Sequence, residues 1–165
     1  MDFDIGFNTN AATKSVKLYT DGASRGNVVG ESIRAYAFYG EYNGYETLSG
    51  KAFVGYTNNQ MELTGLIIGL RNITNKNLPV EVYLDSKYVF DSITKNWMKS
   101  WKRNGWTKDG GLKNDKYWMA LDVELNKFKK IHFNWTKGHA SNFGNNIADK
   151  KCNDLMDNFE EEELG

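Results

Sequence analysis

Residues 15–22 read SVKLYTDG, and residues 79–85 read PVEVYLD. In the first stretch Val16 and Leu18 alternate with Lys17, Tyr19 and Asp21. In the second Val80, Val82 and Leu84 face away from Tyr83 and Asp85. Alternation with a period of two is the pattern of a half-buried strand, so both stretches are read as strands, each closing on an acid that lies on its tyrosine side. Between them Leu63, Leu66, Ile67, Leu70 and Ile73 repeat at helical spacing after Asn58-Asn59. The connection before the later strand is long enough for a crossover helix, which allows the two strands to be parallel neighbours. In register, their carboxylates emerge together at the carboxyl edge of the sheet, where open α/β sheets bind ligands.

The flanking sequence extends this unit in both directions. GASRGN (22–27) supplies turn residues, so the first strand is expected to end near Asp21. IRAYAFY (33–39) and YETLSGKAFV (45–54) are strands joined by EYNG, a hairpin turn, and with the first strand they form an antiparallel meander. Beyond the second acid, DSKYVFDSI reads as a short helix and a tryptophan-rich basic stretch is broken by KDGG. A helix is expected over 114–128, a last strand at IHFNWT, a loop at KGHASNFG and a final helix at NNIADKKCNDLMDNF. The predicted class is α/β (α+β), a five-stranded mixed sheet, three antiparallel strands and then parallel ones, flanked by helices. Residues 1–14 read as a flexible arm, 15–158 as one domain and 159–165 as a solvated acidic tail.

Composition narrows the function classes. With 165 residues the chain has the size of one domain that needs no disulfide staples. One cysteine, Cys152, forms no internal pair and fits a reducing compartment; a cytoplasmic location is expected. One cysteine and two histidines make a zinc cluster a poor fit. No apolar run approaches the ~18 residues of a membrane span, and the polar, acidic start MDFDIGFNTN is neither a secretory signal nor a basic transit peptide. The 21 Lys plus Arg equal the 21 Asp plus Glu, but they are unevenly spread. Residues 97–116 hold six bases against two acids, a net +4, which suits a polyanionic partner and equally an ordinary solvated face.

Asp21 and Asp85 do not stand alone. Glu62 lies in the first turn of the crossover helix, one turn before the buried Leu66, and so leans toward the sheet. Gly65 and Gly69 on that side permit close helix–sheet approach. Asp149 falls in the last helix, near the end of the final strand. Each acid alone has a structural reading. Asn59-x-x-Glu62 is a capping box and Asn146-x-x-Asp149 imitates one, Asp85 or Ser86 can cap a helix, and Asp21 can hold a turn. Together, four carboxylates at one edge repel and raise one another's pKa, an arrangement that normally holds a hard cation. An all-oxygen ligand set favours Mg²⁺ or Mn²⁺ over zinc. Two such ions can assist phosphoryl transfer. His139, in a polar loop before Asp149, fits a proton-shuttle or product-release role as well as a plain surface position. His132 is assigned no function.

YTDGASRGN (19–27), TNNQMEL (57–63), LDSKYV (84–89) and TKGHASNFGNNIAD (136–149) resemble, in order and spacing, the four motifs of type 1 ribonuclease H. The resemblance covers about residues 16–158 and implies a ribonuclease H-like fold, the domain at 15–158 being a single catalytic domain. It implies an endonuclease that cuts the RNA strand of RNA/DNA hybrids with two Mg²⁺ ions, one activating the attacking water and the other stabilising the departing 3′-oxygen. The ends left would be 5′-phosphate and 3′-hydroxyl. It makes Asp21, Glu62, Asp85 and Asp149 the metal ligands and His139 a residue that assists turnover. Ser24, Gly26, Asn27, Asn58 and Asn59 match positions that line the minor groove and sense ribose 2′-hydroxyls, groups that are donor and acceptor at once. Thr57 and Asn114 match positions that hold a phosphate of the DNA strand, and Lys87 one that contacts the RNA strand. NWMKSWKRNGW (96–106) resembles the family's basic protrusion, about 96–114 here, which grips DNA. There Trp97, Trp101, Lys99, Lys102 and Arg103 would meet the substrate, the cations by salt-sensitive phosphate attraction. Trp106 and Trp118 are read as core. A monomer is expected, with no separate hybrid-binding module ahead of the domain.

Three departures from the family pattern stand out. VVGES follows Asn27 where a proline–glycine run is usual. Asn146 replaces a glutamate beside the metal site. KDGG stands where several members carry more lysine, which lowers expected hybrid affinity. Two competing readings are the same fold acting on another nucleic acid and a non-catalytic hybrid-binding module. The residues matched to 2′-hydroxyl sensing argue against the first, and four converging carboxylates, which repel a polyanion without metal, argue against the second.

Overall fold

The computed structural model describes residues 14–26, 32–136 and 142–164. Its elements are β1 (Val16–Gly26), β2 (Ser32–Tyr42), β3 (Tyr45–Val54), α1 (Asn58–Asn72), β4 (Val80–Leu84), α2 (Lys87–Thr94), α3 (Trp97–Arg103), α4 (Asp115–Leu125), β5 (Ile131–Trp135) and α5 (Phe143–Leu164). The strands form one sheet in the order β3-β2-β1-β4-β5. The β1–β2 and β2–β3 pairs are antiparallel, and β1–β4 and β4–β5 are parallel. This is the mixed five-stranded sheet expected from the alternation patterns. The β2–β3 turn falls on Asn43-Gly44, both at positive φ (50° and 86°), as a tight two-residue hairpin requires.

Helices cover the sheet on both faces. Against one, Val16, Leu18, Phe38, Val80, Val82 and Leu84 pack on Leu63, Leu66, Ile67 and Leu70 of α1 and on Trp118 and Leu121 of α4. Two glycines of α1 bring helix and sheet together. A Cβ on Gly65 would sit 3.3 Å from the carbonyl oxygens of Asp21 and Ala37, and one on Gly69 would sit 3.1 Å from Leu18. On the other face Ile33, Ala35 and Ala37 receive Ala148, Cys152 and Met156 of α5. The small alanines let this second helix lie close to β1 and β2.

Several local expectations need correction. The first strand does not end near Asp21. Its parallel ladder with β4 stops at Thr20↔Leu84, but its antiparallel ladder with β2 continues to Gly26↔Ser32. GASRG is therefore strand, because β2 still offers it hydrogen-bond partners. The basic stretch contains a helix, α3, that its mixed aromatic and cationic composition conceals. The capping box of α1 is Thr57 with Gln60, not Asn59 with Glu62. Ser86 rather than Asp85 caps α2, its hydroxyl accepting from Val89 N at 3.2 Å. Asn142, not Asn146, takes that role at α5, accepting from Asn145 N at 3.0 Å. The glutamate run is helical, with Glu161 and Glu162 exposed to solvent. It continues α5 to Leu164, with Glu160 and Asp157 paired to Arg25 of β1. Residues 1–13 lie outside the described residues.

Candidate active site

The register of β1 and β4 builds the site. Thr20 is level with Leu84, the last parallel pair, so Asp21 and Asp85 are the next residues out on adjacent strands. The backbone of Asp85 is fixed from β5, where Trp135 Nε1 donates to its carbonyl at 3.2 Å. Glu62 enters from α1, just past the first turn in which the sequence had placed it. The Gly22 N–H donates to Asp21 Oδ1 and to Glu62 Oε1, both at 2.9 Å, and so ties strand acid to helix acid. That bond needs close approach. A Cβ on Gly22 would lie 2.7 Å from Glu62 N and 3.0 Å from Met61 C.

Asp21, Glu62 and Asp85 each place a carboxylate oxygen within 4.8 Å of the others. Asp21 is 3% exposed and Glu62 6%. Burial, and then the charges of Asp85 and Asp149, push the Asp21 carboxyl up to about 9. Burial raises Glu62 well above its ordinary value too, with the Asp85 and Asp21 charges adding and the Gly22 N–H opposing. Asp149, half-buried in α5, stands beside Asp21 and shares a hydrogen bond with it. The fourth acid thus flanks the three-carboxylate group rather than closing it. Gly144 seats the start of α5 here. Its Cα lies against the Tyr19 ring so closely that a Cβ would meet ring carbons at 2.4 Å. Crowded, desolvated carboxylates are the donor set of a hard cation, and this group could hold a metal ion.

The RNase H family model matches residues 13–156. The chain belongs to the ribonuclease H family.

Among curated relatives, the ribonuclease H of Clostridium botulinum is 38% identical over 148 residues, 88% of this chain and 98% of that one. A solved type 1 RNase H with the type 2 active-site motif superposes with a TM-score of 0.74 at 24% identity, covering 90% of this chain and 75% of that one. The foamy viral protease–reverse transcriptase, solved in complex with RNA/DNA hybrid, gives a TM-score of 0.69 at 18% identity over 86% of this chain and 20% of that one. This ribonuclease H is a hydrolase and a nuclease of RNA/DNA hybrids. No helix among its described residues is long and apolar enough to cross a membrane.

Other residues of this ribonuclease H matched to substrate positions fall on β1, at the start of α1, on α2 and α3, and at Asn114 before α4. Ser24 and Gly26 are exposed on β1 beyond the parallel ladder, and Asn58 and Asn59 are exposed at the start of α1. Thr57 caps that helix, and Gln60 in its first turn donates through Nε2 to Asn114 Oδ1 at 3.3 Å. Gln60 thus links the two residues matched to a DNA phosphate. Thr57-x-x-Gln60 was the sequence signal for it, a capping box read two residues too late. Asn27 and His139 lie outside the described residues.

On α3, Lys99 and Arg103 are exposed and Trp97 is 40% exposed. Two companions are engaged within the protein, although Lys102 is itself exposed. Trp101 packs on Trp118 with ring centroids 5.2 Å apart, and Lys102 pairs with Asp122 of α4 at 2.8 Å. Helical periodicity places Trp101 one turn from the buried Met98, which an extended reading of the stretch misses. Trp118 is fully buried and Trp106 half-buried against the core, as expected. Lys87 is engaged with Asp91 at 3.2 Å and lies over the Trp135 ring at 4.9 Å.

The raised carboxyls set a pH dependence. A carboxyl whose folded pKa exceeds its unfolded value binds protons more strongly in the native state, so stability falls as pH rises through that interval. For Asp21 the interval runs from 3.8 to about 9. In chelator, Tm is expected to fall across this range. Saturating divalent metal at alkaline pH is expected to raise it again, because the ion binds the native cluster. Thermal melts with and without metal check both signs.

Proposed function

We propose that this ribonuclease H cuts the RNA strand of RNA/DNA hybrids as a cytoplasmic monomer, in one catalytic domain at 15–158 with a basic protrusion at about 96–114. Two Mg²⁺ ions, held by Asp21, Glu62, Asp85 and Asp149 and replaceable by Mn²⁺, would supply water activation and stabilisation of the 3′-oxygen leaving group, giving 5′-phosphate and 3′-hydroxyl ends. The observation that carries this reading is the group of three carboxylates, two buried and one half-buried, with Asp149 alongside. The hybrid-bound foamy viral relative adds support for the substrate.

The chain's own residues hold and orient. The Gly22 N–H fixes Asp21 and Glu62 against each other before any ligand arrives. Ser24, Gly26, Asn27, Asn58 and Asn59 would read ribose hydroxyls across the minor groove. Thr57 and Asn114, joined through Gln60, would hold a DNA phosphate. Lys99, Arg103 and Trp97 would meet the DNA strand from α3, with Trp101 and Lys102 buttressing that helix, and Lys87 would approach the RNA strand on leaving Asp91. His139 would assist turnover. The test is an end-labelled RNA strand annealed to DNA or to RNA. Cutting of the hybrid alone, with phosphorylated 5′ ends, is expected. Equal cutting of both duplexes contradicts 2′-hydroxyl sensing, and 3′-phosphate ends contradict the reaction course.

A further inference from the structure

We propose that Arg34 and Lys51 form a second basic strip, separate from the α3 protrusion, that holds backbone phosphates of the RNA strand beside Ser24. This rests on the hybrid-nuclease reading above. Gly22 faces α1, as its contact with Glu62 N requires. Two residues on, Ser24 faces the same way, and its cross-strand partners are Arg34 on β2 and, beyond it, Phe53 on β3. The row below is Gly22, Tyr36 and Lys51. Gly22 and Tyr36 of the lower row lie against α1, Tyr36 Cβ being 3.6 Å from a Cβ placed on Gly65. Lys51 and Ser24 are exposed, and Tyr56 is 42% exposed.

The two rows carry two cations and no carboxylate. Among the described residues neither Arg34 nor Lys51 forms an ion pair. Lys51 Nζ lies over the Phe53 ring at 5.3 Å, and Arg34 Nε is buried with no hydrogen-bond partner. Half-buried guanidinium groups are normally paired, because desolvating an unpaired charge is costly. Arg25, Arg71 and Lys102 each find a carboxylate within the fold, whereas among the described residues Arg34 and Lys51 do not. A polyanion lying along Ser24 would supply the missing partner, and the planar fork of Arg34 suits a phosphate.

Binding of a fluorescent RNA/DNA hybrid across a KCl series tests this, in an Asp85→Asn background that keeps the RNA intact. Arg34→Met, which keeps the packed stem, and Lys51→Met, on the exposed edge strand, are each expected to flatten the log–log salt dependence by about 0.7–0.9. Arg34→Met is expected to weaken binding roughly tenfold, the loss of one charge-assisted hydrogen bond. Arg34→Lys should keep the slope, and Lys130→Met, at the start of β5, should change nothing. Wild-type slopes in folded Arg34→Met and Lys51→Met would overturn the strip, a packing role for Arg34 included. Absence of hybrid binding or cutting in the parent protein would overturn the function reading instead, and is read without either variant.

Discussion

Asp85→Asn is expected to lower hybrid cleavage by about a thousandfold or more while leaving the protein folded and, without metal, more stable than the parent. Asp85 is one of three acids whose oxygens lie within 4.8 Å, so the change removes a charged ligand from the set that would hold metal. Losing roughly 4 kcal/mol of charge stabilisation in phosphoryl transfer corresponds to that factor. The stability gain follows from the same geometry. After burial, the Asp85 charge is the largest contributor to the raised carboxyls of both Asp21 and Glu62. Neutralising it relieves both. Cleavage assays beside thermal melts in chelator separate the two effects. Retained activity, or a fall in Tm, would contradict this account of the cluster.

Gly22→Ala is expected to damage fold and site together. The added methyl would meet two backbone atoms of α1, 2.7 Å from Glu62 N and 3.0 Å from Met61 C, and neither can swing aside as a flexible side chain could. Overpacking of this kind costs about 1–3 kcal/mol, roughly 2–12 °C in Tm for a domain of this size. To make room, the first turn of α1 must retreat from β1. That lengthens the Gly22 N–H bond to Glu62 and carries Thr57, Asn58 and Asn59 away from Ser24. Cleavage should fall, and the Tm rise produced by divalent metal should shrink. A melt matching the parent, with metal response intact, would show that the strand and helix do not need their close approach.

Much of this site was legible in two strands and a helical stripe. The tyrosine side of VKLYTD and VEVYLD placed Asp21 and Asp85 together because parallel register is set by the same alternation that buries Val16, Leu18, Val80 and Val82. Leu66 pointed Glu62 at the sheet for the same reason. What the sequence did not reveal depended on partners far along the chain. β1 runs past Asp21 because β2 continues to pair with it, which no turn propensity in GASRGN records. Lys102 and Lys87 looked available until α4 and α2 supplied Asp122 and Asp91. The acidic end of α5 stays helical where Arg25, 132 residues away from Asp157, reaches across to it. The motif resemblance indicated which residues matter. The cross-strand registers and ion pairs indicate how each is held.

Metal add-back to chelated enzyme tests the central claim most directly. The RNA strand of a hybrid is end-labelled, incubated with enzyme in chelator, and then given a graded excess of Mg²⁺. No cutting before addition, and cutting that rises with Mg²⁺ in the parent but not in Asp85→Asn, is the predicted result. Cutting in chelator, or Mg²⁺-dependent cutting that survives Asp85→Asn, would contradict the assignment of the buried carboxylates as the metal-holding centre of this ribonuclease H.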